Sequence, residues 1–424
     1  MGNPGYSALS LLRGALGGHR HWGRAWRAAE PGGPYDVIII GGGGHGLATA
    51  YYLAHEHGVR RIAVLEKGYI GGGNTGRNTT IVRSNYRLPQ LQRMLDYSLK
   101  LWHSLSDELN YNVMFSPRGA LFLGHSDADM AKLAERGDAL IAMGIDAELM
   151  DSAAVAKLVP LFDMRRDARW PIDGGLIQHR GGTARHDAVA WGFARAADNL
   201  GVDIIENCEV TGFLRDGDSA GGRVTGVRTT RGDIHGGRTA ICVAGNSGHV
   251  AGLAGLQLPI ESHTLQAWVT EPVKPMIDTV VMSQSLHCYF SQSDKGGMVG
   301  GGDPDMFPSY AQRGAPIRLE DSIAQAIALV PALSRLRMVR SWAGVTDMSF
   351  DGAPIIGETP LPGLYLNGGW CYGGFKATPG SGRLYAHLLA TGTSHPIAAP
   401  FDLARFAAGR TIDEAGVGPM PQHR

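Results

Sequence analysis

Three glycines and one acidic residue near the start of the chain carry the clearest chemical signal in the sequence. Gly41, Gly43 and Gly46 follow the pattern G-x-G-x-x-G, and Glu66 lies twenty residues after the last of them. In such a pattern the first glycine permits a tight turn, the second lets backbone approach a pyrophosphate, and the third lets helix and strand pack closely. An acid at this distance can accept hydrogen bonds from a ribose. The spacing therefore predicts a dinucleotide site.

The elements that must position these residues can be predicted from the same stretch. Val37 to Ile40 is a β-branched run typical of a buried parallel strand, a helical pattern begins at Leu47, and a second strand covers Ile62 to Leu65. The N-terminus of the helix would offer free N–H groups and a positive dipole end to phosphates. The alternative is a glycine-rich structural turn, but the complete order of elements favours the dinucleotide site. Its position near the start of the folded region favours FAD over NAD.

Length and composition limit the function classes. The chain has 424 residues, and its 39 basic residues are balanced by 39 acidic residues. A near-zero net charge gives no indication of a nucleic-acid or strongly acidic partner. No apolar run reaches the roughly 18 residues that a transmembrane helix needs. We expect two interleaved domains with a large core and no membrane segment.

The four cysteines, Cys208, Cys242, Cys288 and Cys371, are widely spaced. They form no CxxC pair and no Cys/His metal spacing, so we predict no metal site and no disulfide framework. We interpret them as small buried hydrophobic residues of a protein from a reducing cytoplasm.

Strand and helix patterns along the chain predict an N-terminal arm over 1–34 and a C-terminal tail over 401–424. Between them we expect a discontinuous dinucleotide-binding domain made of 35–118, 179–258 and 341–400. The substrate domain would consist of 119–178 and 259–340.

The arm is Arg-rich and contains no acid before Glu30. It is interpreted as an arm packed on the protein or a partner, with a mitochondrial transit peptide as the alternative. A last helix is predicted to start near Gly382, after a glycine cluster that could hold a phosphate or ring edge by its amides.

Four long motifs place this chain beside a known family. They are GGGGHGLATAYYL (41–53), GGGNTGRNTTIVRSNY (71–86), GGTARHDAVAWGFARAAD (181–198) and GGWCYGGFKATPGSG (368–382). With them the chain resembles the D-amino-acid-oxidase-like flavoprotein family, and within it the β subunits of bacterial heterotetrameric sarcosine oxidases, from about Tyr6 to the C-terminus. The resemblance implies an α/β fold in which a Rossmann-like FAD-binding domain is interleaved with an α+β substrate domain on an antiparallel or mixed sheet.

The resemblance also implies two flavins, a noncovalent FAD in the first domain and a covalent FMN near a surface shared with a larger subunit. Together with Gly41 and Gly46 of the glycine motif, the FAD contacts carried over by position are Gly43, Gly44, His45, Glu66, Asn74, Thr79, Ile81, Val210 (through its backbone), Gly374 and Lys376. For three of these a structural role is the alternative: Asn74 and Thr79 could cap a turn, and His45 could be a surface residue at a helix start.

His186 is the FMN attachment site that the third motif implies, through an imidazole nitrogen and the 8α methyl of the ring. This chemistry needs a neutral imidazole as nucleophile toward an electron-poor flavin. From the residues alone, a histidine at a helix start is a capping or surface residue. His179 is the competing attachment site, outside the best-matching part of the motif.

The substrate site implied by the resemblance would hold an amino-acid carboxylate between Arg83 and Lys376. An arginine fork grips a carboxylate bidentately, and a lysine adds a point charge beside it. A surface ion pair is the alternative for both Arg83 and Lys376, and the glycine context of Lys376 argues against it there. Tyr289 would line the amine pocket, with core packing as the equally open alternative.

Two departures from single-chain relatives modify these expectations. Those relatives link FAD to a cysteine where this chain has Ser341 to Gly344, so we expect noncovalent FAD. They also place an oxygen-activating lysine where this chain has Gly297 to Gly300. Without that cation, electrons would leave FAD for FMN and O₂ would react at the second flavin, unless Arg118 or Lys295 substitutes.

The implied activity is oxidative demethylation of sarcosine to glycine, with formaldehyde or 5,10-methylenetetrahydrofolate and H₂O₂ as further products. The implied partners are a larger α subunit that shares the FMN site and small γ and δ subunits. Three alternatives stay open. They are an oxidase or dehydrogenase of another N-alkyl amino acid (N-methylglutamate or dimethylglycine), a stand-alone single-flavin FAD amine oxidase, and a non-catalytic flavin-bearing scaffold.

Overall fold

The computed structural model describes residues 8–18, 20, 24–217 and 221–413. Tyr6 and further parts of the predicted arm (1–34) and tail (401–424) lie outside the described residues. Within the described part of the arm, Ala8–Leu16 forms a helix. No helix among the described residues is long and apolar enough to cross a membrane.

The strands are numbered in chain order, and most of them belong to two large sheets. They are β1 (Tyr35–Ile40), β2 (Ile62–Leu65), β3 (Ile81–Val82), β4 (Ala120–Gly124), β5 (Ala147–Asp151), β6 (Gly174–Gln178), β7 (Gly182–Thr183), β8 (Asp203–Ile205), β9 (Val210–Arg215), β10 (Val224–Thr229), β11 (Gly232–Ile241), β12 (Ile260–Pro272), β13 (Val280–Ser283), β14 (Cys288–Gln292), β15 (Gly297–Pro308), β16 (Met338–Ser349), β17 (Ile355–Glu358) and β18 (Leu364–Gly368).

The helices are numbered in the same way. They are α1 (Ala8–Leu16), α2 (Gly44–His57), α3 (Pro89–Glu108), α4 (Asp127–Ala142), α5 (Ser152–Leu158), α6 (His186–Asn199), α7 (Ser247–Leu253), α8 (Pro316–Leu329), α9 (Gly374–Thr391) and α10 (Ala404–Ala407), with short 3₁₀ helices at Asn74–Arg77, Ala244–Asn246, Pro331–Arg335 and Ala399–Phe401.

The first sheet contains the strands that flank the glycine motif. Its order is β17-β18-β11-β1-β2-β8, with β10 and β9 added beside β11. The pairs from β18 to β8 are all parallel. Alternate residues of β1 point to opposite faces, so Val37 and Ile39 pack in the core shared with α2, α3, α6 and α9, while Ile38 and Ile40 pack on the other side. This places the end of β1 and the start of α2 at the carboxyl edge of a parallel sheet.

The second sheet is mixed and has the order β16-β12-β15-β14-β13-β4-β6-β5. All its pairs are antiparallel except β13 with β4. The side chains of β4 alternate between a core with α5 and α8 and a core with α4. The two sheets have the α/β and mixed character predicted for the fold class. The domain boundaries stay predictions, and the one placed at residue 341 lies inside β16.

The last long helix begins eight residues earlier than predicted, at Gly374 rather than near Gly382, and contains Pro379. Its glycines promote packing instead of breaking the helix. A Cβ on Gly382 would lie 2.4 Å from the Cβ of Ala48 in α2, and one on Gly380 would lie 2.8 Å from the Cβ of Ser98 in α3. Close contact with two helices therefore stabilises a glycine-rich segment that has low intrinsic helix propensity.

Candidate active site

A cavity of about 700 Å³ lies between the two sheets and is bordered by the end of β1 and the N-termini of α2 and α9. This volume is in the range of small-molecule and cofactor sites. Thirteen of the residues predicted for the site line it. They are Gly41, Gly43, Gly44, His45, Glu66, Asn74, Thr79, Ile81, Arg83, Val210, Tyr289, Gly374 and Lys376.

The three motif glycines have different structural roles. Gly41 has a φ of 112°, and a Cβ there would lie 2.3 Å from the carbonyl oxygen of Cys242. A Cβ on Gly46 would lie 2.0 Å from the oxygen of Gly41, so Gly46 is required for α2 to pack behind the turn. At Gly43 a Cβ would meet only Thr75 Oγ1, at 3.1 Å. Protein packing therefore constrains the second glycine less than the other two, which leaves room for a ligand to approach its backbone.

The Glu66 carboxylate is fixed at the end of β2. Its oxygens accept hydrogen bonds from the backbone N–H groups of Gly42 and Gly68, both at 2.9 Å. A carboxylate has about four acceptor positions, so capacity remains for ribose hydroxyls. At the start of α2, Gly43 provides no side-chain cap, and the Gly44 N–H donates to Thr75 Oγ1 at 2.9 Å. The open glycine backbone, the helix N-terminus and the carboxylate together fit the pyrophosphate and ribose of FAD.

His45 is a half-buried part of this wall and not an exposed surface residue. Its ring stacks on Trp370 with 5.0 Å between centroids, and its Nδ1 forms a hydrogen bond with Ser381. Ser381 also accepts from Asn367 Nδ2 at 3.1 Å, and Asn367 Oδ1 accepts from Trp370 Nε1 at 2.7 Å. Burial lowers the pKa of His45 to about 4, so its imidazole is neutral at physiological pH.

The loop after β2 connects the cavity to the second sheet. Asn74 Oδ1 accepts from the Val345 N–H of β16 at 2.9 Å, and its Nδ2 donates to the Val345 carbonyl. Thr79 forms a side-chain hydrogen bond with Tyr289. Both side chains thus link elements across the cavity. A residue that only capped a turn, the alternative considered for them, would make no such contact with another element. Ile81 in β3 and Val210 at the start of β9 complete this part of the wall.

Arg83 lies in the cavity and is not part of a surface ion pair. Its Cζ is 4.4 Å from the centre of the Tyr86 ring and 5.2 Å from that of Phe122. Its Nη1 donates to Asn85 Oδ1 at 2.8 Å. No carboxylate among the described residues forms an ion pair with it. The guanidinium is therefore able to bind a carboxylate from outside the chain.

Lys376 is a buried cation in the first turn of α9. Its Nζ donates to the Tyr372 carbonyl at 2.5 Å and lies 5.9 Å from the centre of the Tyr86 ring. Its own carbonyl accepts from Ser98 Oγ and Trp102 Nε1 of α3, both at 2.8 Å. Burial lowers the pKa of Lys376 well below its ordinary value of 10.5, and the positive charge of the nearby Arg83 lowers it further. A bound anion would oppose both effects because it stabilises the charged ammonium.

The wall that the second sheet contributes is polar and acidic. Tyr289 lies there in β14, and burial raises the pKa of its phenol. In β15, the Asp303 carboxylate pairs with His287 Nδ1 at 3.1 Å, and this hydrogen bond raises the pKa of His287. Asp305 Oδ1 accepts from Gln266 Nε2 at 2.7 Å. These side chains face the same cavity as Arg83 and Lys376.

Of the predicted site residues, Gly46 and His186 are not among the described residues that line the cavity. Gly46 packs behind the turn, as its role in the motif requires. His186 is the first residue of α6, and its side chain is 31% exposed. Burial lowers its pKa, while the charges of Asp187, Arg185 and Lys295 act in both directions. A neutral, partly accessible imidazole fits the nucleophile that flavin attachment needs. The competitor His179 is 56% exposed and bonds Glu148 at 2.8 Å.

Sequence reasoning missed Asp347, a buried acid in the cavity wall. It lies in β16 and is 3% exposed, and burial raises the pKa of its carboxyl to about 6. The available signal was an acidic residue inside the strand that follows Trp342. That signal is weak, because the acid could equally have faced solvent on an edge strand.

The geometry and the sequence comparisons identify the family together. The profile of the family described as FAD dependent oxidoreductase matches residues 36–388. The chain belongs to this family. The predicted resemblance, fold class and enzyme class, an FAD-dependent amine oxidoreductase, are therefore confirmed, and FAD is the cofactor that the family implies.

Two curated relatives cover almost the whole chain. The chain is 57% identical over 416 residues to the sarcosine oxidase subunit beta of Rhizobium meliloti (strain 1021), covering 98% of this chain and 99% of that protein. It is 49% identical to the sarcosine oxidase subunit beta of Rhodobacter capsulatus, with 97% and 98% coverage. Because both relatives are named as subunits, they belong to multi-subunit enzymes.

Solved structures share the fold. L-proline dehydrogenase from P. horikoshii superimposes with a TM-score of 0.82 at 27% identity, over 89% of this chain and 99% of that one. Glycine oxidase from Geobacillus kaustophilus has a TM-score of 0.78 at 22% identity, over 88% and 99%. The second likeness supports the fold alone.

Proposed function

We propose that this chain oxidises sarcosine at FAD held without a covalent bond in the cavity. The observation that carries the proposal is the pair of cations, Arg83 and Lys376, in the same cavity that the glycine turn borders. The cations would bind the substrate carboxylate, the guanidinium as a fork and the ammonium as a point charge. When bound, FAD supplies the acceptor for the hydride that leaves the substrate next to its amine nitrogen.

Residues of this chain would hold FAD and the substrate in fixed positions relative to each other. Glu66 would accept hydrogen bonds from the ribose, and the N-terminus of α2 would face the pyrophosphate. Lys376 is fixed by α3 through its carbonyl and by Tyr372 through its Nζ, so little side-chain freedom is left to lose on binding. Tyr289 would border the amine side of the substrate. Such positioning is a large part of what a protein contributes to a cofactor reaction.

The preference for sarcosine over N-methylglutamate rests on the near-complete relatives, which are sarcosine oxidase β subunits. The charges of the cavity do not separate the two substrates. Asp303 and Asp305 line it, but Arg87 and Arg136 line it too, besides the two proposed substrate cations.

A covalent FMN at His186 is the second part of the proposal. The neutral, partly exposed imidazole at the start of α6 supports it, together with the third sequence motif. The relatives named as β subunits support an assembly with a larger α subunit that shares the FMN site, and with small γ and δ subunits. Location in the cytoplasm is part of the same proposal.

The fate of the electrons follows from the missing lysine in Gly297 to Gly300. Without a cation there to stabilise reduced oxygen, O₂ would react at FMN. Of the two cations considered as substitutes, Arg118 donates to the Gln292 carbonyl at 3.0 Å, and the charge of Lys295 contributes to lowering the pKa of His186. The products would be glycine, H₂O₂ and formaldehyde or 5,10-methylenetetrahydrofolate.

The test compares the chain co-expressed with its neighbouring genes and the chain alone. Sarcosine should yield H₂O₂ and formaldehyde in the assembled complex. Full activity of the isolated chain with one FAD would instead establish a single-flavin amine oxidase. Faster turnover of N-methylglutamate or dimethylglycine than of sarcosine would assign that compound as the substrate instead. Absence of turnover of any of these by a flavin-loaded complex would support the scaffold alternative and overturn the proposal.

A further inference from the structure

We propose that Asp347 is a positioning residue that holds the carboxylate-binding lysine in place through the loop Gly369–Tyr372. This inference rests on the proposed function, because it assigns a device to the same carboxylate site.

Asp347 fastens the start of this loop to β16 with its side chain and its backbone. Its Oδ2 accepts a hydrogen bond from the Gly369 N–H at 2.6 Å, and its carbonyl accepts from the Cys371 N–H at 2.9 Å. The preceding residue adds a third bond, since Thr346 Oγ1 donates to the Cys371 carbonyl at 2.8 Å. The carboxylate is buried, so this bond is shielded from water.

The loop needs such fastening because one of its non-glycine residues has a disfavoured backbone conformation, whereas glycine adopts a positive φ readily. Gly369 has a φ of 69°, and Cys371, which has a Cβ, has a φ of 50°. Left-handed conformations at non-glycine residues persist when the surroundings fix them, and they concentrate at functional sites. The hydrogen bonds from β16 fix Cys371, the strained residue, through its own N–H and carbonyl groups and through the N–H of Gly369.

The same loop then holds the substrate cation. The carbonyl of Tyr372, directly after Cys371, accepts the bond from Lys376 Nζ. The connection therefore runs from the Asp347 carboxylate to Gly369, through the strained turn at Cys371, and from Tyr372 to the ammonium. Removing the carboxylate would release the loop, and the ammonium would lose its fixed position relative to Arg83.

A double-mutant cycle on the flavin-loaded complex tests this connection. The probe is acetate, whose binding is followed by the change in absorbance of the bound FAD. Asp347→Ala should raise the acetate Kd about tenfold in the otherwise native chain, and less than about twofold in a Lys376→Met background. Asp347→Asn keeps an oxygen for the Gly369 N–H and should stay within about threefold of the native chain. Equal effects of Asp347→Ala in the two backgrounds would overturn the inference.

A second variant covers the case in which Asp347→Ala loses FAD. Thr346→Val removes the bond to the Cys371 carbonyl without removing a charge. It should weaken acetate binding by about threefold, again only when Lys376 is present. Additivity with Lys376→Met would overturn the inference. If Lys376→Met alone leaves acetate binding unchanged, the proposed function fails, and this outcome differs from a failure of the inference about Asp347.

Discussion

Arg83 and Lys376 lie against the same aromatic ring, that of Tyr86, at 4.4 Å and 5.9 Å from its centre. The two cations come from distant parts of the chain, the segment after β3 and the first turn of α9. The ring face attracts both through its quadrupole, although the cations repel each other. A carboxylate placed between them would remove that repulsion, so this arrangement is suited to bind the acid group of an amino acid.

Replacing Lys376 by Met should weaken substrate binding while FAD stays bound. A hydrogen bond to a charged group contributes about 1.5–3 kcal/mol, so KM for sarcosine should rise about 10- to 150-fold. Steady-state kinetics with a flavin count on each preparation would measure this. The matched control is Lys100→Met, since Lys100 is 66% exposed on α3 and pairs only with Asp96 among the described residues. Equal KM values for both variants would refute the role of Lys376.

Carboxylate affinity should also fall as pH rises. Burial and Arg83 lower the pKa of Lys376, so the ammonium loses its proton below pH 10.5. The protonated form binds the carboxylate, so acetate affinity is complete at pH values below that pKa and declines as pH rises through it. A bound carboxylate raises the pKa, which the pH dependence of Kd would reveal. In Lys376→Met this alkaline limb should be absent, and its persistence would assign it to another group.

The second and third motif glycines should respond differently to an added methyl group. Gly46→Ala would place a Cβ 2.0 Å from the Gly41 oxygen, so little folded protein should be recovered. Gly43→Ala meets only Thr75 Oγ1, so it should fold but bind FAD about tenfold more weakly or worse. Circular dichroism and FAD content would separate the two effects. Gly33→Ala, which meets nothing within 4 Å, is the control. Full FAD content in Gly43→Ala would contradict a close approach of cofactor to this backbone.

Flavin attachment can be mapped directly. After acid denaturation of the co-expressed complex, we expect a flavin mononucleotide adduct on the tryptic peptide that contains His186, and free FAD in the supernatant. His186→Asn should abolish the adduct, and His179→Asn should leave it unchanged. An adduct that survives His186→Asn would move the site to His179 or elsewhere. Free FAD with no adduct would show that the protein holds one flavin only.

The strand–helix–strand unit that carries the glycine turn could be predicted from the sequence, because the unit is local. Gly41, Gly43, Gly46 and Glu66 belong to one strand–helix–strand unit, and their spacing alone determines where they meet. The α9 start was wrong for the opposite reason. Gly380 and Gly382 indicate a break by intrinsic propensity, and only the close contacts with α2 and α3 explain the helix.

Asp347 could not be predicted for a related reason. Its role depends on the meeting of β16 with the loop after β18, and strand pairing between distant segments leaves no local pattern. Arg83 and Lys376 are similarly distant, and they were paired in advance only through the resemblance of their motifs to a known family.

The most direct test of the central claim is anaerobic mixing of the flavin-loaded complex with sarcosine, followed at the absorbance of oxidised FAD. We expect rapid bleaching by sarcosine and slower bleaching by N-methylglutamate. In Lys376→Met the half-saturating sarcosine concentration should be about 10- to 150-fold higher, as the loss of a hydrogen bond to a charged group implies. Bleaching by no N-alkyl amino acid, or bleaching that is indifferent to Lys376, would contradict it.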